Sequence, residues 1–405
     1  MSLDIRPTLS ALLRNRTGAV LVAAQVAIAL AVLANAAYLI VQRIEKIHRP
    51  TGIDEQNIFV IESAGFTARF HQRASVREDL AYLRGLSGVI AGTATNSIPL
   101  SDSGDSDSLV TRPDARRSGY INDLEIDEQG LETLGVRLIS GRNFRHEEIQ
   151  PPRTRSDVSR FVPVIIVSRE LGEYLFPQQN PLGKQVFDAF NHTATIIGVV
   201  DPIMGTFPGS EYPGRVFFEP RMPDEFIVVV YLVRTQPGQR DALMRLAESH
   251  LAVSNPDRVI NFVRPLTYYK NLSYLGDSSM EIYLLTVTAL VIAVTSLGIF
   301  ALATFNVSTR TKQIGTRRAI GARRRDIVRY FLVENGLITS AGVLVGCTLA
   351  LAAGYWLSVH YALPRLNLYY LVGGVLVLWG IGQLAAWQPA WRAAAVPPSV
   401  ATRTV

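Results

Sequence analysis

NVSTRTKQIGTRRAIGARRRDIVRYFLVE, residues 306–334, carries eight basic residues against Asp326 and Glu334. It lies between two long apolar runs, Ile282–Val307 and Gly336–Leu357, each long enough to cross a bilayer as a helix, which takes about 20 residues. The stretch is therefore a short connection anchored in the membrane at both ends. Gly315 and Gly321 are expected to interrupt helix, bracketing a turn or two that carries Arg317, Arg318, Ala319 and Ile320. Ile327, Val328 and Phe331 read as a second amphipathic turn leading into the next span. A basic knob tied to two spans is shaped to fit a groove on another protein. If that partner moves, both spans must follow.

Two further runs, Gly18–Val41 and Leu366–Ala386, have the same length and character. With 405 residues, 48% of them hydrophobic and 18% charged, and a mean hydropathy of +0.19, the chain is neither disordered, collagen-like nor a small disulfide scaffold. Cys347, inside the third run, is the single cysteine, so no intrachain disulfide forms.

The net charge of +6 is unevenly placed. Residues 42–281 hold 26 Lys and Arg against 31 Asp and Glu, while the N-terminal tail, the 308–330 connection and the C-terminal tail hold 13 basic residues against Asp4 and Asp326. Four spans put those three basic segments on one side. Short basic loops stay in the cytoplasm, whereas a large domain is translocated almost regardless of its charge. The 240-residue segment is thus expected outside, and the basic residues read as topology determinants near anionic headgroups rather than as a nucleic-acid surface. Arg14, Arg16 and Ala34-Asn35-Ala36 formally match a secretory signal, but the apolar run is longer than a signal core, which predicts an uncleaved span. Gln25 and Asn35 at membrane depth point to helix packing or a pore wall.

The outer segment alternates strands and helices: strands at 58–62, 89–96, 120–126, 162–167, 194–200 and 226–233, and helices at 73–84, 128–134, 169–175 and 239–251. Gly135 reads as a helix stop. The pattern predicts an α+β domain of two lobes, with 101–185 the more divergent part. Stalk-like amphipathic extensions are expected at Gln42–His48 and at Tyr268–Tyr283. Asp102, Asp105 and Asp107 lack the glycine and terminal glutamate of a calcium loop and read as a solvated segment. The six histidines are scattered, and there is no G-x-x-x-x-G-K-[ST], H-E-x-x-H or G-x-S-x-G, so no catalytic or metal-binding constellation is legible. Gly342 and Gly346 form a G-x-x-x-G suited to close helix approach. Glu334, near the inner interface, is expected to pair with an arginine such as Arg329 or Arg325.

Arg310, Lys312, Ile314, Gly315, Arg317, Arg318, Ala319, Ile320, Gly321, Ala322 and Asp326 resemble the R-x-K-E-I-G-x-R-R-A-x-G-A-x-x-x-D signature of MacB/FtsX-like permeases of ATP-binding-cassette transporters of the mechanotransmission (type VII) kind. Gln313 and Thr316 depart from it. Residues 138–144 (LISGRNF), 167–176 with the turn 180–184 (NPLGK), and 197–200 (IGVV) resemble the turns and strands of that family's periplasmic core domain.

The resemblance implies a four-helix membrane protein with a periplasmic domain between the first two helices. Its parts would be a cytoplasmic tail 1–17, a first helix and stalk 18–48, a core domain 49–266, a stalk and second helix 267–307, a coupling segment 308–330, helices 331–359 and 366–388, and a cytoplasmic tail 389–405. It implies a bacterial inner-membrane location. It also implies a non-catalytic permease with no cofactor of its own, two separate ATPase subunits that bind ATP and Mg, and a second permease subunit, the same chain or a homologous one. A periplasmic adaptor with an outer-membrane channel is a further implied partner; nucleic acid is not. The ten residues Arg310–Ala322 named in the signature would seat in the ATPase, Arg317, Ile320 and Gly321 foremost. Two other classes stay open: an FtsX-like or sensor-type subunit that regulates a cell-wall hydrolase or carries a signal without moving substrate, and a membrane-anchored enzyme with its site in the outer domain.

Overall fold

The computed structural model describes residues 16–397 apart from 68, 114, 116–120, 152–161, 189, 224–227 and 362–364. The N-terminal tail with Arg14, the end of the C-terminal tail, and the expected strand starts at Tyr120 and Phe226 lie outside the described residues. The chain divides into two compact units, Arg49–Gly276 and the remainder, Met1–His48 with Asp277–Val405.

The unit 49–276 holds two sheets. The first is antiparallel, in the order β11-β1-β10-β2, formed by β1 (Ile58–Gly65), β2 (Val89–Thr95), β10 (Val228–Thr235) and β11 (Arg258–Pro265). The second is mixed, in the order β3-β4-β9-β6-β8-β5 with β7 paired to β8. Its strands are β3 (Ser106–Asp107), β4 (Ile121–Ile126), β5 (Leu138–Gly141), β6 (Val164–Ser168), β7 (Gln185–Phe187), β8 (Thr193–Val200) and β9 (Val216–Pro220). β4 pairs with β9 and β6 with β8 in parallel; the other pairings of this sheet are antiparallel.

Period-two alternation explains how continuous apolar runs serve two cores. Ile58, Val60, Val230 and Leu232 point into a core that also contains Leu124, Ile166, Val200 and Phe218 of the second sheet. Their neighbours Phe59, Ile61, Val229, Tyr231 and Val233 point the other way, against α2 (Gln72–Gly85) and α5 (Arg240–Ser254). In the second sheet Ile165, Val167 and Phe217 face a third core with Leu171 and Leu175 of α4 (Arg169–Leu175). Ser168 caps α4 by accepting from the Leu171 N–H at 3.2 Å, and Gly135 ends the short α3 (Gly130–Leu134) at φ +73°. The structure adds β3, β5, β7, β9 and β11 to the expected strands. The stalk expected over 268–283 is broken: α6 (Leu266–Ser273) stops at the buried Tyr274, and a new helix begins at Leu275.

The second unit contains α1 (Arg16–Ile47), α7 (Leu275–Thr309), α8 (Thr311–Ala319), α9 (Arg324–Tyr361) and α10 (Leu368–Ala394). Four of them, α1, α7, α9 and α10, are long and apolar enough to cross a membrane. Val22, Val26, Leu30, Ile299, Ile338 and Leu378 form their shared core. A Cβ on Gly342 would lie 2.6 Å from the Ala23 carbonyl oxygen, and one on Gly346 would lie 3.0 Å from Ala27 Cα. These two glycines therefore let α9 approach the backbone of α1 directly. Asn35 Nδ2 donates to Ala350 O at 3.1 Å and Gln25 Nε2 to Val294 O at 2.8 Å, so both polar residues join helices. At the other end of α1, Arg43 and Lys46 both bind Asp277 at the start of α7.

Candidate functional site

The basic connection folds as one helix and a tight turn laid across the ends of two spans. Helix α8 runs through Gly315, which is buried. The expectation that this glycine breaks helix is therefore wrong: the helix continues through it on the buried face. Gly321 does end the segment. Its φ of +106° is a backbone state open to glycine and costly for residues with a Cβ.

One stripe of α8 is held. Ile314 packs with Ile327, Val328 and Phe331 of α9 and with Ala390, Ala393 and Ala394 of α10, and Ala322 lies against the same cluster. Four residues on from Ile314, one helical turn, Arg318 donates from Nη1 to the carbonyls of Ala394 and Val396, 3.0 Å each. The cation thus satisfies carbonyls that the end of α10 leaves open. Arg310, just before α8, donates to Glu334 Oε2 at 2.9 Å and to the Tyr330 hydroxyl at 3.2 Å. This corrects the expected pairing of Glu334: Arg325 and Arg329 lie on a different face of α9, while Arg310 reaches Glu334 across the loop.

The opposite stripe is free of such contacts. Lys312, Thr316, Arg317 and Ala319 are exposed, and Ile320 is 82% exposed. Arg317 keeps one contact, its guanidinium 4.9 Å from the Tyr330 ring centre. The ten sequence-chosen residues thus separate into an inner set (Arg310, Ile314, Gly315, Arg318, Ala322) that fixes the knob to α9 and α10, and an outer set (Lys312, Arg317, Ala319, Ile320, Gly321) that presents it. Sequence reasoning missed the roles of Tyr330 and of the α10 end; the only signal for the latter was the four-residue spacing of Ile314 and Arg318.

In the unit 49–276 the buried charges serve the fold. Arg221 lies among Glu125 and Glu219. Burial holds the Asp127 carboxyl above its usual value, although Arg84 and Thr93 bond to it and act the other way. The hydrogen bonds from Arg142 hold Glu148 below the usual range. Among the described residues no group of three or more His, Cys, Asp or Glu is placed to hold a metal.

The four long apolar helices and the exposed basic knob between two of them are the architecture of a multi-pass membrane protein. Residues 285–398 match the FtsX-like permease C-terminal family. The macrolide export ATP-binding/permease protein MacB of Neisseria meningitidis is 24% identical over 290 residues, 67% of this chain and 42% of that protein. MacB 1 of Yersinia pestis is 26% identical over 262 residues, 61% and 39% of the two chains. The match thus spans about two fifths of the length of these relatives. The crystal structure of the periplasmic region of MacB from Actinobacillus actinomycetemcomitans aligns over 56% of this chain and 97% of that one, at 18% identity and a TM-score of 0.35. Residues 285–398 thus carry an FtsX-like permease C-terminal region, and the chain is similar over two thirds of its length to MacB-type ATP-binding/permease proteins. Its four apolar helices and the basic charge on their short connections make it a multi-pass inner-membrane protein with its large domain on the periplasmic side.

Proposed function

We propose that this chain is the permease subunit that couples ATP hydrolysis by a separate ATPase subunit to conformational change of the periplasmic domain, driving efflux or export. The observation that carries this reading is the division of α8: Ile320 and Arg317 stand outward while Ile314, Arg318 and Arg310 clamp the helix to α9 and α10. A force applied to the tip is therefore delivered to membrane helices instead of being absorbed by a loose loop. The ion pairs of Arg43 and Lys46 with Asp277 tie α1 to α7, so these two helices would act together as the lever toward the periplasm.

ATP and Mg would be held by that ATPase, outside these 405 residues, which contain no phosphate-binding loop. Two such subunits, a second permease chain and, in a two-membrane cell, a periplasmic adaptor with an outer-membrane channel complete the assembly. Macrolide export, the activity for which the MacB relatives are named, is the model for its transport. The test is crosslinking in native membranes from Ile320→Cys, followed by identification of the captured subunit. Capture of an ATP-binding-cassette ATPase supports the reading. Labelling of that cysteine by a membrane-impermeant reagent from the periplasmic side would sink it.

A further inference from the structure

A groove of about 610 Å³ runs between α9 and α10. Arg325, Arg329, Leu332, Gly336 and Ser340 line one wall, at helical spacings of three or four residues that place them on one face of α9. Trp379, Gln383, Trp387 and Trp391 line the other wall, each four residues from the next or a multiple of it. Three of the chain's four tryptophans therefore lie on one side of one groove, and they remain 46%, 53% and 58% exposed.

The groove is apolar along its length and positive at one end. Among the described residues neither Arg325 nor Arg329 has an ion pair or hydrogen bond for its side chain, and no carboxylate lines the groove. From Arg325 to Ser340 α9 rises ~22 Å, rather more than the ~15 Å of one leaflet's hydrocarbon. The groove's apolar lining suits an acyl chain, and the two arginines at its end suit an anionic headgroup. Tryptophan rings prefer the headgroup level of a bilayer, and basic pockets between helices on the cytoplasmic side suit anionic lipid headgroups.

We infer that this groove is a binding site for an anionic glycerophospholipid, its phosphate held between Arg325 and Arg329 and an acyl chain laid along Leu332, Gly336 and Trp379. The inference does not depend on which partner the coupling knob engages. It is tested with the full chain reconstituted in phosphatidylcholine nanodiscs containing brominated phosphatidylglycerol or, separately, brominated phosphatidylcholine, following tryptophan fluorescence. Phosphatidylglycerol is expected to quench at about ten-fold lower mole fraction or better, with a loss of roughly five-fold per arginine, about 1 kcal/mol each, in Arg325→Gln and Arg329→Gln. Trp379→Phe, Trp387→Phe and Trp391→Phe together should remove the lipid-selective part of the quenching and leave that of Trp356. Equal quenching by the two lipids overturns the proposal. So does an unchanged preference in the double arginine variant, or, if that variant does not fold, an unchanged selective signal in the tryptophan variant. Protection of the tryptophans from both brominated lipids in the assembled complex would mean that a protein subunit covers the groove, and overturns it equally.

Discussion

Arg310 and Glu334, 24 residues apart, meet at 2.9 Å with their side chains 17% and 3% exposed. The pair closes the connection between α7 and α9 at its base, with the Tyr330 hydroxyl as a second acceptor for the same guanidinium nitrogen. Removing one member of a buried pair strands the other charge and costs about 3–5 kcal/mol. Arg310→Ala and Glu334→Ala should each destabilise the membrane unit on that scale. Arg310→Met combined with Glu334→Leu should recover most of the loss, since apolar replacement of both partners is often neutral. A double-mutant cycle on thermal unfolding in micelles measures this, and strictly additive single losses would show that the pair does not couple.

The tip of the knob separates coupling from folding. A Cβ at Gly321 meets no atom within 4 Å, so Gly321→Ala costs backbone strain alone, about 1–2 kcal/mol. Gly321→Trp adds bulk only on the outward side. ATPase stimulation in the assembled complex is expected to fall at least ten-fold for Gly321→Trp and for Ile320→Glu, and much less for Gly321→Ala, while all three reach the membrane at comparable levels. Full stimulation with Ile320→Glu would remove the tip from the coupling surface.

Close approach of α9 to α1 makes a third test. With backbone atoms of Ala23 and Ala27 2.6–3.0 Å from the positions a Cβ would take on Gly342 and Gly346, neither neighbour can yield by side-chain rotation. Gly342→Leu or Gly346→Leu should cost more than the roughly 1–3 kcal/mol of ordinary overpacking, because the helices themselves must separate. Gly373→Leu, where nothing lies within 4 Å, serves as the control with little effect. Equal melting temperatures for Gly346→Leu and Gly373→Leu would contradict the packing.

Much of this architecture was legible because it rests on local periodicity. The 20-residue apolar blocks, the helix Arg169–Leu175 and strands such as Thr193–Val200 announce themselves through hydropathy alone. The strands that escaped notice lack that signal. Arg258–Pro265 is an edge strand that opens on a buried arginine and exposes Val259 beside Asn261 and Arg264, so it has no clean apolar alternation, and Val216–Pro220 is short, buried throughout and ends in proline. Gly315 misled because glycine's low helix propensity is a weak signal that a buried position inside a helix overrides. Within residues 308–330 the run of basic residues and the helix were readable, but the division of that helix into a held face and an exposed face was not: Arg318 is fixed by carbonyls 76 and 78 residues away, a distance no local pattern encodes. Glu334 shows the same limit, since its partner lies across a turn whose geometry Gly321 sets.

Alkaline pH probes the core of the periplasmic domain. Tyr231 is buried and donates to Asp79 Oδ2 at 2.7 Å, and Arg258 binds the same carboxylate. Burial, followed by the adjacent Asp79 carboxylate, pushes the phenol well above its ordinary value, with Arg258 offsetting part of the effect. Burial also raises Tyr269. In the unfolded chain both phenols ionise near pH 10, whereas in the folded domain they stay neutral. Their contribution to stability is therefore complete below about pH 10 and is lost as pH rises toward the folded values. Tyr231→Phe should cost about 1–3 kcal/mol at neutral pH, the loss of a hydrogen bond to a charged acceptor, and should make the alkaline decline shallower, with Tyr269 supplying what remains. Denaturant midpoints of the full chain followed by circular dichroism from pH 7 to pH 11 measure both effects. A parallel decline in the two proteins would show that the Tyr231 hydroxyl is not a source of the alkaline sensitivity.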